Sequence, residues 1–149
     1  MVAVAAALAL AVYGTWPIAA HPASRVYGGG LGVPATGPHP DVYLTVWILA
    51  WTAHALATAP WSLLEANIFH PTPHALALSE NMLGALPLYL PLAALSRDPI
   101  FAHQATLVLT FACAFLAALV LVRDWTGSWW AAVVGGTLFA FSCCWLHRS

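Results

Sequence analysis

The chain has 149 residues, of which 62% are hydrophobic and only 6% charged, and it contains no lysine. Soluble domains carry about 25% charged residues, so the composition argues against a soluble domain and predicts a single membrane domain over 1–149. With a net charge of −1 there is no basic patch to neutralise phosphates, which argues against a nucleic-acid partner.

Residues 1–20 form the first uncharged run, long enough for a helix to cross a hydrocarbon core of about 30 Å. A cleaved signal peptide is disfavoured because no basic segment precedes the run. Residues 21–40 are rich in glycine and proline and read as a loop. The next segment, "DVYLTVWILAWTAHALATAP", begins at Asp41, well placed as a helix cap. On a 3.6-residue wheel Asp41, Thr45 and Thr52 share one face, and Trp47, Trp51 and His54 another. Because tryptophan favours the headgroup level, this segment reads as an interfacial helix within a long first outer loop, 21–72. A full crossing by the same segment is the rival reading.

Thr72 and Pro73 carry the chemistry of a helix start, so a span is expected over about 73–96 with Glu80 two turns inside it. Further apolar runs follow at 100–122 and 129–146, joined by "RDWTGS". The expected fold is therefore all-α, with about four transmembrane helices plus the interfacial helix. Counting from a cytoplasmic N-terminus, the long loop lies outside, although the arginines favour this orientation only weakly. The three cysteines, Cys113, Cys143 and Cys144, fall inside apolar runs and read as small packing residues.

Three of the five acidic residues, Asp41, Glu65 and Glu80, belong to the loop region, accompanied by His39, His70 and His74. Carboxylates at a water–lipid boundary suit general-base work, because partial desolvation raises their affinity for protons. They also suit a hard divalent cation, magnesium or manganese, that holds a lipid phosphate. Simpler roles compete: Asp41 as a cap, Glu80 as a bond to a neighbouring helix, and each histidine as a loop residue. His70 and His74 are four apart, but Pro71 and Pro73 deny the helix that would pair them at a metal.

Two stretches, "DVYLTVWILAW" and "NIFHPTPHALALSENMLGALPLYLP", followed in order by "LVRDWTGSWWAAVVGGTLFAFS", resemble the N-terminal part of bacterial multi-span proteins of the GT-C glycosyltransferase type. The resemblance implies transfer of a sugar from a polyprenyl-phosphate-linked donor at the non-cytoplasmic face of a bacterial inner membrane. It implies Asp41 as the active-site acid and Glu80 as a second acid at the membrane face. Arg25 and His74 are candidate substrate-binding residues, the guanidinium suited to a lipid phosphate. Departures from the pattern are Pro40 where glycine is usual, Asn81 where histidine is commoner, and "CCW" from Cys143. Such transferases are several times longer, so the chain reads as an N-terminal portion. The alternative is a non-catalytic polytopic protein that binds a partner or lipid.

Overall fold

A computed structural model describes residues 2–16, 20–21, 23 and 40–146, with the side chains at 2, 3, 40, 41 and 143–146 outside that description. Among the described residues every regular element is helical, and there are no strands. The α-helices are α1 (Val2–Gly14), α2 (Pro40–Thr58), α3 (Leu86–Ser96), α4 (Pro99–Thr126) and α5 (Trp129–Leu146).

The longest helix, α4, is the spine, and each of the other four packs against it. Its start is dictated locally. Asp98 caps it, its Oδ1 accepting from the N–H groups of Ile100 at 2.9 Å and Phe101 at 3.3 Å, while Pro99 occupies a first-turn position that needs no donor. Its end is equally local: Gly127, at φ +67°, donates its N–H to the Arg123 carbonyl at 3.0 Å, the left-handed stop that glycine permits. The "RDWT" part of the expected connection is thus the last turn of α4.

With 28 residues, α4 is about 42 Å long, and it is the one helix among the described residues that is long and apolar enough to cross a membrane. Only 22% of its most apolar stretch is buried within the protein. The core helix of a soluble protein would be mostly covered.

Two clusters sit at different heights along this spine. Ala102 packs with Leu49 of α2 and with Leu86 and Tyr89 of α3. Farther along, Ala112, Phe115 and Leu119 pack with Ala7 and Ala11 of α1 and Ala132, Ala140 and Phe141 of α5. Small residues four apart (Ala7 and Ala11; Ala132, Gly136 and Ala140) allow close helix approach without a large side chain between the backbones.

The helix expected from residue 73 begins only at Leu86. His74 and Met82 adopt left-handed backbone angles, φ 53° and 50°, and each breaks the α-helical path. Two short 3-10 turns, Ala75–Leu78 and Leu83–Ala85, fill the interval. With 11 residues, α3 is about 16 Å long, half of what a crossing needs. Glu80 therefore lies outside a helix, not two turns inside one.

Helix α2 turns its threonine side toward the protein. Thr52 is fully buried and Thr45 partly so. Their hydroxyls donate to the carbonyls of Ile48 at 2.7 Å and Val42 at 2.8 Å. A hydroxyl satisfied by its own helix can be buried at little cost, so the threonine side turns inward.

Candidate functional site

Most of the acidic and imidazole side chains of the described residues lie on α2, on the loop 59–85 and in the first turns of α4, whereas Arg123 and Asp124 lie at its other end. The loop is tied down at three points. The Trp51 indole N–H donates to the Leu63 carbonyl at 3.2 Å, and the Leu76 N–H donates to the Leu64 carbonyl at 3.1 Å. Glu65 closes the third tie with both oxygens: Oε1 lies 2.7 Å from His74 Nδ1, and Oε2 accepts from the His74 backbone N–H at 3.1 Å. His74 is thus engaged with Glu65 as a clamp that holds the left-handed turn.

Because both side chains of the clamp are exposed, its net worth is small, about 0–1 kcal/mol. Glu65→Ala is expected to leave the melting temperature nearly unchanged while residues 64–76 become more sensitive to limited proteolysis. An unchanged cleavage pattern would show that the turn holds its shape without the carboxylate.

Glu80 is exposed and has neither a hydrogen bond nor an ion pair among the described residues. It follows the loop clamp and precedes the turn at Asn81, whose Oδ1 accepts from the Leu83 N–H at 3.4 Å. The backbone of Asp41 lies in the first turn of α2, one turn before Thr45, and its side chain lies outside the described residues. Arg25 lies wholly outside them. The structure thus brings His74 to Glu65, not to Glu80. Among the described residues no group of three or more histidine, cysteine or acidic side chains is placed to hold a metal ion. These side chains therefore do not supply a magnesium or manganese site by themselves.

Two residues of α4 were not singled out from the sequence. His103 is buried, and its Nε2 lies 3.1 Å from Thr45 Oγ1. The Thr45 hydroxyl also lies 2.8 Å from the Val42 carbonyl; when it donates there, the imidazole Nε2–H donates to it and Nδ1 is left as a bare acceptor. That nitrogen has no partner. Gln104 is 0% exposed, with neither its amide oxygen nor its amide nitrogen bonded. The available signal was a His–Gln pair one turn into an otherwise apolar run, since polar side chains in such a helix are costly and commonly functional.

Chemically, the region offers an exposed, unpaired carboxylate at Glu80, a clamped Glu65–His74 pair, and a buried imidazole fixing α2 to α4. It is a polar end on an apolar bundle. No family model matches this chain, and neither does any curated protein or solved structure.

Proposed function

We propose that this chain is a membrane-embedded, multi-pass portion of a GT-C-like glycosyltransferase of the bacterial inner membrane. It would act on a polyprenyl-phosphate-linked sugar at the non-cytoplasmic face. The observation that carries the reading is the gathering of most acidic and imidazole groups at one end of α4, the one helix among the described residues that is long and apolar enough to cross a membrane. A lipid-linked donor has its tail in hydrocarbon and its phosphate and sugar at the boundary, so it needs polar chemistry at that height beside an apolar wall.

In this reading Asp41 takes the proton of the attacking acceptor hydroxyl. The Thr45–His103 contact, one turn on, holds α2 against α4 and so fixes the helix that carries it. Glu80 adds negative charge and polarity at the same end, and Arg25 is the candidate partner for the donor phosphate.

The test is Asp41→Asn in the intact protein, assayed for transfer from a polyprenyl-phosphate-linked sugar. Asparagine caps a helix about as well as aspartate, so folded yield should not change. Loss of a general base costs about 10²-fold or more in rate, whereas Glu80→Gln should cost less. Activity near wild type for Asp41→Asn would overturn the assignment.

One observation favours the non-catalytic alternative, a lipid- or partner-binding scaffold. Glu65 and His74 satisfy one another, and so neither is free to act on a substrate. Under that reading both variants leave any binding function intact and no transfer is measurable in the wild type.

A further inference from the structure

We infer that the bilayer surrounds only the C-terminal two-thirds of α4 together with α1 and α5, and that α2, α3 and the loop between them form a cap on one membrane face. The inference rests on reading α4 as a membrane crossing, and goes beyond it by assigning which surface meets lipid.

The first observation is a stripe on α4 whose covering changes along its length. Ala102, His103 and Thr106 are buried. Continuing down the same side of the helix, Thr110, Cys113, Ala117, Val120 and Leu121 are all exposed. Spacings of three and four keep these positions on one face, so the stripe is covered by the α2–α3 layer at its start and bare beyond it. At the bare height α5 also exposes Val133, Val134, Leu138 and Phe139, and α1 exposes Val4, Leu8 and Val12. The result is an apolar band around the three helices, while the cap exposes apolar side chains of its own on the loop and α3, Trp61, Phe69, Leu78 and Leu95 among them.

The second observation is the pair of aromatic levels that bound the band. At the α4–α5 turn, Trp125, Trp129 and Trp130 are 76%, 60% and 84% exposed, and the Arg123 guanidinium lies 4.9 Å from the centre of the Trp129 ring. At the other level Trp16 is exposed just beyond the end of α1. Gly14 meets Phe141, which stacks on Phe111 with ring centres 5.8 Å apart, so Trp16 stands near the height of Phe111. From Phe111 to Trp125 the rise is about 21 Å, and Trp16 adds a few more. That is somewhat less than a hydrocarbon core, a mismatch that local thinning absorbs.

Exposed indoles with an N–H and an apolar ring belong at the headgroup level. None of these four donates a hydrogen bond among the described residues, in contrast to Trp51, which donates to Leu63. Charges complete the frame: Arg97 and Asp98 precede α4, Arg123 and Asp124 lie in its last turn, and no Asp, Glu, Lys or Arg occurs between them.

The closing experiment places single cysteines in the full chain, with Cys113, Cys143 and Cys144 replaced by serine. The probes are Ser62→Cys in the loop, Leu95→Cys at the end of α3 and Asp124→Cys at the end of α4, each treated with a membrane-impermeant maleimide before and after permeabilisation. The cap predicts that Ser62→Cys and Leu95→Cys label from one side and Asp124→Cys from the other. If Ser62→Cys and Leu95→Cys label from opposite sides, α3 crosses and the cap is overturned. If all three label alike, α4 does not cross, and the membrane reading beneath the inference fails with it. Sugar transfer does not enter the measurement, so failure of the transferase reading is seen separately in the Asp41→Asn assay. A spin label at Val120→Cys in phosphatidylcholine vesicles identifies what covers the band. High oxygen and low nickel-chelate accessibility are expected from lipid. Low accessibility to both would mean a protein neighbour, and would overturn the assignment of the band to lipid.

Discussion

Gly136→Val is expected to loosen the packing of α5 on α4 and cost about 1–3 kcal/mol, towards the upper end. A Cβ at Gly136 would stand 3.0 Å from the backbone carbonyl oxygen of Phe115 and 3.2 Å from two atoms of its ring. A backbone oxygen inside a helix cannot swing aside as a side-chain tip can. Relief therefore requires the two helices to move apart, which opens gaps along the Ala132–Gly136–Ala140 seam and forfeits contacts in a close-packed interior. Thermal or denaturant unfolding in detergent reads the loss. Gly84→Ala is the control, because nothing lies within 4 Å of a Cβ there; its effect should stay within about 0.5 kcal/mol. Equal effects of the two substitutions would contradict the close approach of α4 and α5.

Gln104→Met is expected to act in the opposite direction and raise stability by about 1–3 kcal/mol. Gln104 is fully buried with both amide atoms unpartnered, and an unsatisfied buried polar group carries a desolvation cost of about that size. Methionine has similar length and shape and asks for no hydrogen bond, so it removes the cost and keeps the packing. The same unfolding measurement decides the sign. Loss of stability on this substitution would mean that the amide is satisfied by a polar partner in the intact protein, and Gln104 would then join the residues tested for activity.

How much of this was legible beforehand differs from element to element. The helical character of the apolar runs follows from composition and length. The start of α4 was also within reach, since Asp98–Pro99 is a capping residue followed by a first-turn proline. The same chemistry at Thr72–Pro73 misled. There the chain prefers a left-handed turn at His74, held by the Glu65 clamp, and the α-helix waits until Leu86 with Pro87 in its first turn. The clamp joins residues nine apart in sequence, and no periodicity announces such a contact.

On α2 the wheel grouped Thr45 with Thr52, yet it could not say which side faced inward. The hydroxyls are satisfied by their own helix, and Thr52 is fully buried. Of the candidate site, Glu80 was visible as an acid in an apolar chain. His103 was hidden because its partner, Thr45, is 58 residues away. Only the packing of α2 on α4 brings them together.

We propose that the polar cap on α4 receives a lipid-linked sugar. Amide hydrogen exchange of the intact protein in lipid nanodiscs tests this most directly, measured with and without a polyprenyl-phosphate-linked sugar at saturating concentration. Residues 74–82, which carry Glu80 and the left-handed turns, should exchange several-fold more slowly with the donor present. Polyprenol lacking phosphate and sugar should leave them unchanged, and the Trp125–Trp130 end should not respond to either. Exchange in residues 59–85 that is identical with and without the donor would contradict the account.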